Sequence, residues 1–250
     1  MQSLKPIKLP KDEFWADPFL FPYKGEAYVF FEIYSYKTKL GKISCGRIQN
    51  NEIVEVQDIL DFDYHLSYPF IFEEDDSIFM IPETSDNNQV EIYKCESFPN
   101  KWSLYTTAFE GEKIVDTSYY KDENGQQWLF LNKAFEDHSS NLYIYKIDTL
   151  KLNKIEAHKK NPVIIDTRLA RNAGKIFNLE NKKIRHSQNN SIGVYGYGLN
   201  LNVIKKLTID DYIEEKIVSI EPDSHKGIKA THNLSLLDEL YIIDGSYKRL

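Results

Sequence analysis

Three acids in this chain sit in apolar company. Asp17 interrupts the aromatic run "WADPFLF", Glu83 ends the strand-like "FMIPE", and Asp116 precedes "TSYY". Carboxyl groups in such surroundings hold their protons more tightly than usual, and a pair of them can divide acid and base work. Around them, in sequence, lie groups suited to holding a polar substrate. His65, Ser67 and Tyr68 occur together in "HLSYPF". Arg168 and Arg171 fall three residues apart in "RLAR" and could clamp a phosphate or carboxylate. His232, in "THNLS", could orient a hydroxyl or relay a proton. Each also has a plainer reading. Asp17 can cap the start of a strand before Pro18, as Asp116 can before its own. The arginines can make salt bridges, His232 can be a packed, hydrogen-bonded residue, and Glu83 can bond nearby backbone N–H groups.

These residues are far apart in sequence, so something must gather them. A repeat of about fifty residues does so. Pro18 opens "PFLFPYKGEAYVFFE", ending at Glu32, and Pro69 opens "PFIFEEDDSIFMIPE", ending at Glu83. Ser118 opens a third copy that ends at Asn132, with Asn124-Gly125 as its turn. Each copy reads as strand, turn, strand, then a third strand containing Ser44-Cys45, Lys94-Cys95 or Tyr145-Lys146, and a polar fourth. The matching places of Cys45 and Cys95 imply packed, structural thiols. A looser copy runs through Arg171–Gln188 and a truncated one through Thr231–Asp244. The expected fold is an all-β, five-bladed propeller forming a single domain. Its blades span residues 15–60, 64–110, 114–163 and 166–220, with a fifth formed by 226–250 and closed by 1–14. A β-sandwich is the alternative. The stretch 208–217 is the one helix-like segment. In a propeller the inner strands ring a channel, so residues at their starts meet at one mouth. Glu32, Glu83, Asn132 and Gln188, at second-strand ends, form a further layer.

Composition narrows the function. With 250 residues, a net charge of −7 and no large basic cluster, the chain is not built to meet phosphate backbones. Tyr and Phe are abundant, at 17 and 14, which suits both sheet packing and sugar stacking. Two separated cysteines carry no zinc spacing, and no cofactor or metal is expected. No phosphate loop, dinucleotide fingerprint, zinc helix or serine elbow is present. Without an apolar leader or a membrane-length run, the expectation is a cytoplasmic protein, at most peripheral to the inner face of a membrane.

Two family resemblances follow from the same residues. Asp17 and Asp116, each before an inner strand, resemble the five-bladed propeller glycoside hydrolases of the arabinanase and β-xylosidase type. There a first-blade Asp is the base, a third-blade Asp tunes pKa and position, and a fourth-blade Glu is the acid. That Glu is missing, because "DTRLARNAGKIF" brings arginines to the strand entry instead. The ordered set "WADPFLF", "HLSYPFIF", "MIPETS", "RLARNAGKIF" and "THNLS" is more similar to the N-terminal domain of plant glucosamine inositolphosphorylceramide transferases, across residues 14–245. Its bacterial relatives belong to surface-polysaccharide assembly. The resemblance implies saccharide biosynthesis, and the arginines, able to hold a leaving phosphate, point to glycosyl transfer from a phosphate-activated sugar donor to a saccharide acceptor, beside other polysaccharide-assembly enzymes. Asp17, Glu83 and Asp116 would then be catalytic, with His65, Ser67, Tyr68, Arg168, Arg171 and His232 binding substrate. A propeller hydrolase and a non-catalytic saccharide-docking propeller are the alternatives.

Overall fold

The repeat takes shape as antiparallel meanders. The computed structural model describes residues 4–134, 137–191, 194–222 and 227–247. The first sheet holds β1 (Glu13–Tyr23), β2 (Glu26–Ser35), β3 (Gly41–Gln49) and β4 (Glu52–Leu60). The second holds β5 (Ser67–Glu74), β6 (Ser77–Glu83), β7 (Val90–Ser97) and β8 (Lys101–Ala108). The third holds β9 (Ile114–Lys121), β10 (Gln127–Lys133), β11 (Asn141–Ile147) and β12 (Ile155–Ala157), with β13 (Ile164–Ile165) also on β11. The fourth holds β14 (Phe177–Leu179), β15 (Lys182–Asn189), β16 (Gly198–Leu207) and β17 (Tyr212–Ile220). These are the blades of an all-β propeller, and each meander keeps sequence order because short turns join neighbouring strands.

The two chain ends differ from expectation. Residues 4–12 contain no strand, so among the described residues the N-terminus adds none to a fifth blade. The C-terminal part forms two small ribbons. In one, β18 (Ile228–Ala230) pairs with β21 (Ser246–Tyr247); in the other, β19 (Leu234–Leu237) pairs with β20 (Leu240–Ile243). The second ribbon packs Leu237, Leu240 and Ile242 against Leu20, Val29, Phe31 and Ile33 of the first sheet. Ser235 Oγ accepts the Leu20 N–H at 2.8 Å. First and last elements therefore meet through side chains. The helix-like segment is also a correction. Thr208 and Asp211 bond each other across a turn, and Tyr212 onward is strand.

Every inner strand of the first three blades starts with a β-bulge. Ala16 opposes Glu32 and Phe19 opposes Phe30, so two residues face one. The same shift recurs between Ser67 and Phe70, and opposite Phe130–Asn132. The bulged residues Asp17, Tyr68 and Asp116 have φ of 49°, 45° and 50°. Left-handed backbone is unfavourable for any residue with a Cβ, though Asp tolerates it better than Tyr. Asp116 is thus the structural counterpart of Asp17 and Tyr68, and Thr117, rather than Ser118, is that of Pro18. The one-residue slip arises at the hairpin. The first two blades turn through two residues, Lys24-Gly25 and Asp75-Asp76, all at positive φ. The third uses the longer loop between Lys121 and Gln127, where Asp122 Oδ1 accepts the N–H groups of Asn124 and Gln126.

Aromatic and aliphatic side chains fill the spaces between blades. Phe98, from the β7–β8 turn, stacks on Tyr23 and Phe21 of the neighbouring blade. Trp128, Phe130, Leu142, Ile144, Ala170 and Ile204 join the third and fourth. Cys45 is buried, Cys95 half-buried, and both are free thiols. One buried ion pair anchors the fourth blade. Arg185 holds Glu214 with two bonds of 2.8 Å and donates to Leu169 O and Asn172 Oδ1. Glu214→Gln should leave that guanidinium without a counter-charge and lower unfolding stability by about 3 kcal/mol. Breaking the exposed Lys205–Glu215 pair should change little. Urea denaturation of both variants is the check, and equal effects would overturn this account.

Candidate active site

The bulges determine which side chains reach the mouth. An extra residue re-aims its side chain out of the ladder, and in blades one and three that residue is an aspartate. Blade four adds Arg171, just ahead of β14, whose carbonyl accepts the Gln188 N–H. The C-terminal ribbon adds His232 before β19 and Asp244 after β20. Asp244 Oδ1 accepts the N–H groups of His232 and Asn233 at 2.9 and 3.0 Å, which fixes the ribbon's end.

Two charge clusters result. In the first, Arg171 Nε donates to Asp116 Oδ2 at 2.5 Å and its Nη2 to Oδ1 at 3.3 Å. Gln188 donates to the same Oδ2, and Asn172 to the Asp116 carbonyl. Glu83 Oε2 lies 3.9 Å from Arg171, and Glu83 accepts the Ser85 hydroxyl. In the second, His232 Nδ1 sits 2.8 Å from Asp244 and its Nε2 3.5 Å from Asp17 Oδ1. The Tyr68 N–H donates to Asp17 Oδ2 at 3.2 Å, so one bulge holds the acid of the next. Tyr195 covers the Arg171 guanidinium at 4.9 Å, and its ring centre is 5.6 Å from that of His232. Gly196 makes this possible: at φ 60°, a Cβ there would stand 2.7 Å from His232 Cβ.

Burial and neighbouring charge separate the proton affinities. Burial, helped by Asp116 and Asp244 and opposed by His232, pushes Asp17 up to about 6. Burial and the Asp116 carboxylate push Glu83 up to about 8 against the pull of Arg171. Glu32, opposite Ala16, is held well above the usual carboxylate range by burial and by Asp17 and Glu83. Burial disfavours a charged His232, but Asp244 and Asp17 outweigh it and raise the imidazole to about 10. Asp244 is lowered in return, against its own burial. Among the described residues, ligand atoms of Asp17, His232 and Asp244 lie within 4.8 Å of one another, close enough to share a cation.

The residues singled out from sequence meet unequally here. Asp17, Glu83, Asp116, Arg171 and His232 come together. His65 stands beside Glu32, its Nε2 3.6 Å from Oε1, while its Nδ1 accepts the Gly41 N–H. Ser67 is buried opposite Glu83. Tyr68 is fully buried and presents no free hydroxyl. Its oxygen is 2.8 Å from Ser118 Oγ and accepts the Gly174 N–H at 3.0 Å, which ties three blades together across the channel. Beyond that level Lys175 reaches the Leu20 carbonyl. Arg168 stays outside the cluster. It is exposed and folds back onto Asp166, which caps its turn. Asp244 and Tyr195 were missed. Asp244 ends "YIID" 13 residues after Thr231, one short of the spacing that selects Glu32 and Glu83, and the Tyr195 loop has no counterpart in the repeat.

His232 should remain an imidazolium through pH 8, with both ring nitrogens protonated in nitrogen-resolved NMR. Asp244→Asn, which keeps the Oδ1 acceptor and removes the charge, should bring its titration down towards neutrality. A wild-type His232 that titrates near its ordinary value would refute the charge assignment.

Comparison with known proteins agrees with this architecture. Solved structures of a thermostable family-43 glycoside hydrolase superpose with a TM-score of 0.64 at 13% identity, covering 92% of this chain and 80% of that one. An exo-β-1,3-galactanase from Phanerochaete chrysosporium gives 0.64 at 13% identity, covering 93% and 56%. At such identity the likeness is one of fold. In sequence, the chain is 31% identical over 229 residues to glucosamine inositolphosphorylceramide transferase 1 of Oryza sativa subsp. japonica, covering 88% of this chain and 30% of that protein. The Arabidopsis thaliana protein of that name is 30% identical over 220 residues, covering 86% and 28%. The chain thus spans about three-tenths of the length of these relatives. Residues 4–238 match the family described as glucosamine inositolphosphorylceramide transferase 1, N-terminal, and the chain belongs to that family.

Proposed function

We propose that this chain is a glycan-active enzyme domain that transfers a sugar from a phosphate-activated donor to a saccharide acceptor at the channel mouth. One observation carries the reading. Two carboxyl groups in one mouth differ in proton affinity, Asp17 at about 6 and Glu83 at about 8. Near neutral pH the first is largely ionised and the second largely protonated, so environment assigns base and acid. Asp17 takes the acceptor's hydroxyl proton as that oxygen attacks the anomeric carbon. Glu83 gives its proton to the departing oxygen. Asp116 raises the proton affinity of Glu83 and steadies Arg171, which faces the negative charge of the leaving group. The two-arginine clamp is given up, because Arg168 is engaged with Asp166.

The transferase names of the relatives favour transfer over hydrolysis. In this reading the domain works beside a second enzyme of cell-surface polysaccharide assembly, in the cytoplasm or at the inner membrane face. The C-terminal ribbons are, in the same reading, the inner part of a fifth blade. Hydrolysis is the second reading, favoured by the protonated Glu83: water would replace the acceptor.

Incubation with nucleotide-sugars and saccharide acceptors, followed by mass spectrometry, tests transfer. Turnover should rise with pH through about 6, as Asp17 ionises, and fall through about 8, as Glu83 loses its proton. Asp17→Asn and Glu83→Gln should each cost on the order of 10²-fold in turnover with the fold intact. Release of aryl glycosides without transfer would select hydrolysis. Full glycan production in cells by Asp17→Ala, Glu83→Ala and Asp116→Ala would reduce the domain to a docking module.

A further inference from the structure

The mouth does not end at its carboxyl groups. Glu32 and Tyr34 lie two apart on β2 and share one face of the sheet, the face that also carries Phe30 towards the second blade. Tyr34 pairs across the ladder with Phe14, and the two rings stack at 4.8 Å with planes 15° apart. Tyr36 leans on both at 6.0 Å. His65, from the loop before β5, completes the row: its ring lies 6.0 Å from Tyr34, and its Nε2 faces Glu32. A row of rings therefore runs outward from Glu32, with Phe14 and Tyr34 stacked face to face and Tyr36 and His65 tilted against them. Burial falls along it, from Glu32 at 5% exposed to Tyr36 at 41%. Two backbone bonds fix the outer end, from the Tyr36 N–H to Asp12 O and from the Lys39 N–H to Ser35 O. An ordered, partly exposed aromatic strip costs hydration unless something covers it.

We infer that Phe14, Tyr34 and Tyr36 form a second saccharide subsite, which takes the acceptor ring adjacent to the one that reacts. This rests on the glycan-active reading of the pocket. A pyranose suits the strip because its C–H face is apolar and its rim carries hydroxyls. The face meets the exposed Tyr36 ring and the outer side of the Phe14–Tyr34 stack, and the rim meets the His65 end. An acceptor of two or more sugars would then lie with its reacting ring at Asp17 and its neighbour on the ledge. Acceptor length would be recognised here, away from the reacting atoms.

Saturation-transfer NMR can separate the two subsites. The probes are β-linked disaccharides of glucose, glucosamine, galactose and xylose, each beside its methyl monosaccharide. Wild type should bind a disaccharide more tightly than its monosaccharide. Tyr36→Ala, at an exposed position outside the core, and Phe14→Leu should weaken the disaccharide about fivefold or more. Both should leave the monosaccharide within about twofold. Asp17→Asn should weaken both probes. If the ledge variants bind disaccharides as wild type does, the subsite is wrong and the pocket reading stands. If folded wild type binds none of the probes, both fall.

Discussion

The left-handed residue at the start of an inner strand is the constraint on which the site depends. A regular ladder would send alternate side chains into the spaces between blades and leave none for the channel. Inserting one residue breaks that alternation at a fixed height. The conformation is costly for anything but glycine, of order 1 kcal/mol for each residue. Surrounding bonds must therefore hold it: Asp244 accepts the Asp17 N–H, and Asn172 donates to the Asp116 carbonyl. At the same position Tyr68 donates its own N–H to Asp17. The irregularity is thus coupled from blade to blade.

Electrostatics follows from that geometry. Asp17, Glu32, Glu83, Asp116 and Asp244 share a small region with two cations, Arg171 and His232. So many buried carboxylates cannot all ionise beside one another. The cations choose which do. Arg171 pairs with Asp116 and His232 with Asp244, while burial and neighbouring carboxylates hold Glu32 and Glu83 above the usual carboxylate range. This distribution separates the proton affinities of Asp17 and Glu83.

Much of this was legible in the sequence, for identifiable reasons. The "PFLF" and "PFIF" phrases and the equal spacing to Glu32 and Glu83 reflect a real ladder, in which those acids oppose Ala16 and Ser67. Spacing failed where a loop changed length: the extra residues around Asp122 shift the third copy by one. It could not distinguish Arg168 from Arg171, because the turn capped by Asp166 decides which of them points inward. Asp244 was hidden in a shortened copy that lacks outer strands to mark its register. "TIDDYIEEKI" looked helical through its acidic residues, yet the Thr208–Asp211 turn leads into a solvent-facing outer strand, where such residues are equally at home.

The phenol of Tyr68 has one more consequence. With the Ser118 hydroxyl and the Gly174 N–H bound to it, this one oxygen belongs to three blades at once. It acts as a rivet: loosening any one of the three strips a buried hydroxyl of a partner, so the blades around it yield together or not at all.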